Sequence, residues 1–463
     1  MPVDSKHPSY TARIADWNKC RVAFEGQSAI KAAGVTYLPR LTEQSDEEYQ
    51  AYKTRALFYS ITSKTIQALV GMATSKPPVV KSPEELGSYF LDDCGVQFQE
   101  MVMGALAETL LVARFGALID RPETGGKPII SAYNAESILN WRVDSQGKPT
   151  MVVLEEQVYE QDAEDKFELE SEIQYRVLEL ENGVYTQSLY NDDKEFVRKF
   201  VPLNTGKTMN YIPFYMVNPF GVGFDIHKPP VLDIVDINIS HYRTSADLEH
   251  GRHYTGLPVP VVSGVDGSTK LRIGSMVAWV LPDANAKAYY LEFTGQGLVS
   301  LEKALSEKQT QLASLSARLI GQSSNGSEAA DTVRLRYVSE TASLASVVRS
   351  VEAFLNQVYQ GLADMESLER SAVSIKMDKE FLDTRMSSIE LRELVKAYIE
   401  GGISKETLVF NLRRGDVLSP DRTDKEEEVA IEAAKKAAME VKKPVVASSD
   451  PETPPIIPQP PGA

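Results

Sequence analysis

A few stretches of this chain have residue types and spacings that could do chemistry. His250 and His253 stand three apart, with His241 upstream and Glu249 adjacent. On a helix that spacing puts both imidazoles on one face, as a zinc site requires. No third ligand has a compelling position, and a polar helix face explains the same pattern. Gly206-Lys207-Thr208 looks like the end of a phosphate loop, but the position that should hold the loop's first glycine is Val201. A phosphate loop also joins a strand to a helix, whereas Asn204-Thr205-Gly206 joins two strand-like runs and reads as a hairpin turn. Thr124-Gly125-Gly126-Lys127 is followed by Pro128 and fails similarly. Glu155, Glu156, Glu168, Glu170 and Glu172 fall on strands and turns, where they read as a solvated face. Nothing pairs a nucleophile with a base in a recognisable context. The expectation is a chain that is not an enzyme, with no catalytic residues, no metal and no cofactor.

The elements that would position such groups are more informative between Pro229 and Leu362. Pro229 and Pro230 can open a helix, because proline's missing N–H is not needed in the first turn. Val231, Val235, Ile239, Tyr242 and Ala246 follow at helical spacing. Gly256 can take the left-handed conformation after a helix, and Pro258 prevents its resumption. Val259–Val262 and Leu271–Leu281 then read as a β-hairpin around 263–268. Leu298, Leu301, Leu305, Leu312, Leu315 and Leu319 form a helical stripe that Lys308 interrupts. Gln322, Ser323, Ser324 and Asn325 lie in an aperiodic loop. Leu344, Val348, Val351, Leu355, Val358 and Leu362 form the next stripe. Such stripes are ordinarily core faces, but long helices flanking a small β module suggest a part used for assembly.

Upstream, residues 9–33 read as a helix anchored by Trp17 and Phe24 and stopped by Gly34. Ser45-Asp46-Glu47-Glu48 is a capping-box pattern opening a long helix through Tyr49, Tyr52, Ala56, Ile66 and Leu69. A helix at 97–114 leads into a strand at Gly116–Asp120. Met151–Tyr159, Glu172–Leu180, Val184–Tyr190, Phe196–Val201 and Ile212–Val217 make an antiparallel β region separated by Asp, Asn and Gly turns. Downstream, helices are expected over Ser387–Glu400, Ser404–Arg414 and the charged Thr423–Lys442. The last twenty residues hold seven prolines, a polyproline-like or disordered tail.

The 463 residues suffice for two to four domains. A hydrophobic content of 43% means most of them should fold. A net charge of −16 argues against a protein whose task is gripping nucleic acid. Cys20 and Cys94 are too few for a disulfide framework or a four-cysteine zinc site. Met1–Ser9 is polar, so no signal peptide is expected. The most apolar window, Met101–Ile119, carries Glu108 and Arg114, so a buried helix leading into a strand is expected rather than a membrane span.

Short motifs in order carry a family resemblance. They are Trp17, Gly26, Tyr37-Leu38-Pro39, Tyr49, Tyr52, Gly71-Met72, Lys76-Pro77-Pro78, Gly116-Ala117-Leu118-Ile119-Asp120-Arg121-Pro122, Tyr133-Asn134-Ala135-Glu136 and Asn140-Trp141-Arg142. Leu257-Pro258-Val259-Pro260, Gly274-Ser275, Tyr290-Leu291-Glu292, Ala317-Arg318-Leu319 and Arg336-Tyr337-Val338-Ser339-Glu340 continue them. Across about residues 8 to 420 the chain resembles the portal proteins of tailed bacteriophages, and more closely an uncharacterised portal-like branch of them.

The resemblance implies an α+β portal fold: a wing of helices and antiparallel β at 1–228, stem helices at 229–255 and 297–320, and a small β-containing clip at 256–296. A tunnel loop at 321–330, a long wing helix within 331–385, a helical crown at 386–442 and a proline-rich tail at 443–463 would complete it. It also implies a homo-oligomeric ring, typically a dodecamer, at one capsid vertex of the virion, assembled in the host cytoplasm without a membrane. The ring would pass double-stranded DNA without sequence recognition during packaging and ejection. Its implied partners are the terminase large subunit, the major capsid and scaffolding proteins, and head-completion or tail adaptor proteins. Channel candidates are Gln322, Ser323, Ser324, Asn325, Lys303, Lys308 and Arg318; docking candidates on the clip are Asp266, Lys270 and Arg272. Two other classes compete: an acidic, non-catalytic adaptor or scaffold acting through its C-terminal helix and tail, and an enzyme using the acidic β region.

Overall fold

The computed structural model describes residues 2–90, 92–122, 126–161, 167, 169–255, 259–263, 285–291, 296–320, 330–379, 381, 388–414, 417–418, 426 and 429–430. The chain forms two compact units, Met1–Phe381 and Leu382–Ala463. It mixes helices with antiparallel sheets.

The first helix, α1 (Pro8–Glu25), has proline in its first turn, and the His7 ring accepts from the Ser9 amide at 3.1 Å. It buries Trp17, Cys20 and Ala23. The single helix expected over 9–33 is in fact two. Gly26, at φ +92°, turns the chain into α2 (Gln27–Ala32), and a Cβ there would stand 2.9 Å from Ser60 Oγ. The capping box exists as read. Ser45 Oγ accepts from the Glu48 amide at 3.2 Å, and Glu48 accepts from the Ser45 amide at 2.9 Å, opening α3 (Asp46–Arg55). The helix does not continue to Leu69. At Ala56 (ψ 138°) the backbone becomes extended, Ala56 and Phe58 drop into the core, and α4 (Ile61–Ala73) starts afresh. Apolar spacing carried the expectation across this break, because the linker's apolar residues are buried too.

After β1 (Val79–Lys81), α5 (Asp92–Val112) runs to a turn at Ala113, φ +63°, and into β2 (Phe115–Asp120). The two charges in this apolar stretch are accommodated differently inside the protein. Glu108 takes a two-pronged contact from Arg21 at 2.5 Å, and the buried Arg114 guanidinium lies 4.0 Å from the centre of the Trp141 ring.

Next come β3 (Ile129–Asn134), β4 (Ile138–Val143), β5 (Pro149–Gln161), β6 (Leu169–Glu181), β7 (Val184–Tyr190) and β8 (Phe196–Phe200). Strands β4 to β8 form a five-stranded antiparallel meander in chain order. Asn182 and Gly183, at φ +48° and +77°, make the turn from β6 to β7. The short pair β9 (Leu203–Asn204) and β10 (Lys207–Thr208) precedes β11 (Phe214–Asn218) and β12 (Gly221–Val222). The run at 212–217 therefore does not extend the meander. It pairs with β2 in a separate sheet of order β12-β11-β2-β3, with Phe214 opposite Leu118.

Three long helices follow: α6 (Leu232–Thr255), then β13 (Val259–Ser263) and β14 (Lys287–Leu291), then α7 (Gln296–Ile320) and α8 (Ala330–Met365). The stripe from Leu344 to Leu362 is buried and packs α8 against α5, β2, β11 and β12. Gly361 permits the closest approach, since a Cβ there would lie 2.9 Å from Ile119 Cδ1 and closer still to the Tyr215 hydroxyl. The chain then returns through β15 (Ser374–Lys376), antiparallel to β1.

In the second unit, α9 (Ser388–Ile399) ends at Gly401, φ +75°, with the Gly402 amide donating to Ala397 O at 2.8 Å. Ser404 Oγ accepts from the Thr407 amide at 3.2 Å and opens α10 (Lys405–Arg414).

Candidate functional site

At about 1.5 Å per residue, α6 and α7 are each roughly 36 Å long. They lie antiparallel, and polar as well as apolar contacts fix their register. A Cβ on Gly251 would reach Leu298 Cδ2 at 2.5 Å. Arg252 donates to Glu302 at 2.8 Å. Lys308 donates to Ser240 O at 3.2 Å and to Thr244 Oγ1. Gln309 Nε2 lies 3.3 Å from His241 Nε2. At the far end Thr65 of α4 and Ser316 of α7 bond at 3.1 Å. Lys308, the residue that interrupts the leucine stripe, thus belongs to the stripe's face, and α6 supplies the acceptors its ammonium needs. Burial holds its pKa below the usual lysine value, with Asp247 opposing that shift.

Three large apolar residues at the β13–β14 end of this module are exposed: Tyr254 (57%), Tyr289 (54%) and Val299 (66%). Among the described residues β13 and β14 pair with one another, Val261 opposite Tyr289, as a two-stranded sheet. One edge of 259–263 is therefore taken by 287–291. The expected partner strand at Leu271–Leu281 lies outside the described residues.

Of the channel candidates, Lys303 is exposed on α7, 3.9 Å from Glu307. Lys308 is turned to α6 as described. Arg318 lies within α7, its side chain outside the described residues. Gln322, Ser323, Ser324 and Asn325, and the docking candidates Asp266, Lys270 and Arg272, also lie outside the described residues.

The histidines do not converge. His241 is buried on the α7 side, its ring 5.2 Å from Tyr59. His250 packs against Tyr52 at 5.2 Å and Tyr254 at 4.8 Å. Burial lowers the pKa of both. Among the described residues no group of His, Cys, Asp or Glu is arranged to hold a metal ion. Gly206-Lys207-Thr208 forms the β9–β10 turn, with Thr205 at φ +46° and Gly206 at +80°, and does not lead into a helix. Among the described residues no helix is long and apolar enough to cross a membrane.

The acidic strands are not wholly solvated, which corrects one expectation. Glu156 faces inward and accepts from Arg176 at 2.7 and 3.0 Å, from Tyr133 at 2.6 Å and from Gln174 at 2.9 Å. Arg176 also approaches Asp120 at 3.6 Å, tying the meander to β2. Strand alternation separates Glu156 from its neighbours, and a run of acidic letters does not reveal the inward one.

Residues 230–366 match a family model described as a domain of unknown function, DUF4055. That span begins just before α6 and ends just after α8. No curated protein matches the chain. Among solved structures, one similar chain comes from the neck of an empty gene transfer agent (GTA) particle computed with C6 symmetry. It has 10% identity and a TM-score of 0.40, over 74% of this chain and 86% of that one. Another, from the virion of a native GTA particle, has 11% identity and a TM-score of 0.40, over 82% and 98%. A TM-score of 0.40 is too low to transfer a role from either.

Proposed function

We propose that this chain is a portal-type ring protein: a structural conduit for double-stranded DNA at one capsid vertex, serving also as a docking platform for a packaging motor and head-tail connectors. One observation carries the reading. The α6–β13–β14–α7 module presents two long antiparallel helices ending in a two-stranded sheet, with Tyr254, Tyr289 and Val299 exposed beside it. A sheet that has two strands among the described residues is marginal alone, and large apolar side chains exposed at one end of a module suit a surface that a partner covers. The order of elements agrees with the sequence resemblance, and the family match spans this module through α8. The acidic balance suits a wall along which phosphate slides without being gripped.

Negative-stain electron microscopy of the purified chain, with native mass measured alongside, tests the proposal. The expected result is closed rings with a central hole and a mass near that of about twelve 51.2 kDa copies. A species that stays monomeric or dimeric at high concentration and with capsid proteins added would remove the conduit reading.

A further inference from the structure

A closed ring is built by head-to-tail contacts, so one subunit must carry two different faces that complement each other. The register of α6 and α7 identifies a candidate pair. Gln309 lies opposite His241. The helices are antiparallel, so two residues back on α7 corresponds to two forward on α6. Glu307 is then level with Arg243, and Lys303 is level with Asp247. Lys308, level with Tyr242, reaches Ser240 and Thr244, two residues or ~3 Å to either side, and Leu298 meets Gly251, one residue from its level position. The long Arg252 and Glu302 side chains span a four-residue offset.

These level residues do not pair within the subunit. Lys303 and Glu307 lie on the part of α7 turned away from α6, and their side chains are 79% and 62% exposed. Their mutual contact is 3.9 Å, with lysine preceding the glutamate, the weaker order for such a pair. Arg243 and Asp247 lie on an exposed flank of α6. Each is steadied by one bond from its own subunit. Arg243 Nε donates to Tyr37 O at 2.7 Å, and Tyr52 donates to Asp247 Oδ1 at 2.6 Å. The Arg243 terminal nitrogens and the second Asp247 oxygen are not used in those bonds.

We propose that in the ring Lys303 of one copy pairs with Asp247 of the next, and Glu307 with Arg243. This rests on the ring reading. Rotation about a ring axis running along the helices leaves every residue at its own height, so level residues of adjacent copies meet. Both helices carry the charges four residues apart, with opposite sign at both heights. The occupant of this flank is therefore a second copy of the same chain. Repeated around the ring, these pairs also fix the register of neighbouring copies, because a slip of one turn would set like charges together.

Charge reversal tests the pairing. In K303E/E307R both changes are on exposed side chains, so folding should be unaffected while assembly needs a concentration higher by about tenfold or more. R243E/D247K should show the same loss, and the fourfold variant should recover assembly. Because R243E/D247K also removes the bonds to Tyr37 and Tyr52, a second measurement uses wild-type protein. Mixed labelled and unlabelled chains are joined by carbodiimide coupling of amines to carboxylates. Rings should yield a Lys303–Asp247 peptide with one labelled half. If K303E/E307R assembles like wild type, or if assembled rings lack the mixed-label peptide, the pairing is overturned and the ring reading stands. If wild-type chains form no ring at high concentration and with capsid proteins added, both fall.

Discussion

Gly251 lies beneath Leu298: a Cβ built on the glycine would stand 2.5 Å from Leu298 Cδ2. This contact sets how closely α6 and α7 approach at their β13–β14 end. Alanine favours a helix over glycine by about 1 kcal/mol, so Gly251→Ala should stabilise an unconstrained helix. Here the clash should cancel that gain, leaving stability near wild type. In a Leu298→Ala background the same change should stabilise by about 1 kcal/mol. A urea-unfolding double-mutant cycle measures the difference. Additive effects would mean that Leu298 swings aside without cost.

The Glu156–Arg176 pair joins the meander to β2 through Asp120, with both side chains mostly buried. Glu156→Ala leaves the mostly buried Arg176 with Asp120, at 3.6 Å, as its remaining carboxylate, so it should cost about 3 kcal/mol. Replacing both and neutralising Asp120 as well, as D120N/E156L/R176M, should cost clearly less, because no charge is then stranded. Equilibrium unfolding of the two variants distinguishes these outcomes.

Gly361 predicts a further packing limit. It brings α8 against Ile119 and Tyr215, and a methyl group there would overlap the Tyr215 hydroxyl and stand 2.9 Å from Ile119 Cδ1. Gly361→Ala should therefore lose about 2 kcal/mol despite its better helix propensity. Adding Tyr215→Phe should recover part of the loss by removing the nearest atom. Thermal unfolding of the single and double variants shows whether the hydroxyl is the obstacle.

Local chemistry was legible in the sequence where one short-range signal decides the structure. The Ser45–Glu48 capping box, the Asn182–Gly183 turn and the β9–β10 hairpin around Gly206 all stand where their residues point. The stripe from Leu344 to Leu362 is core, as period 3.6 requires. What escaped depends on distant partners. Gly26 breaks a helix through its own positive φ and packs against Ser60, a contact no window of α1 contains. Ala56 and Phe58 continue the apolar spacing of a helix that has already ended. Lys308 reads as an interruption of the stripe until Ser240 and Thr244 supply its acceptors. The level charges Arg243, Asp247, Lys303 and Glu307 look like ordinary solvated residues until the register of α6 against α7 is known.

His241 should make the helix pair sensitive to mild acid. Its ring is buried between α6 and α7, against Tyr59 and Gln309, with Lys308 as the charged neighbour across the interface. Burial, and secondarily the Lys308 ammonium, lower its pKa below the ordinary 6.5. The unfolded chain then binds more protons than the folded one just below pH 6.5, so stability rises with pH in that window and is lost on acidification. His7 and His250, also lowered by burial, act with the same sign. The carboxyls of Glu108 and Asp120, raised by burial, oppose this trend at lower pH, where they titrate. Unfolding free energy should therefore fall between pH 7.5 and pH 5.5, with a shallower slope in His241→Gln. Lys308→Met removes the positive neighbour while keeping a long side chain, so the His241 pKa should move up towards 6.5 without reaching it, because the burial remains. An NMR titration of the His241 ring in wild type and Lys308→Met checks this. An unchanged midpoint would mean that the ammonium contributes nothing and burial alone sets the shift.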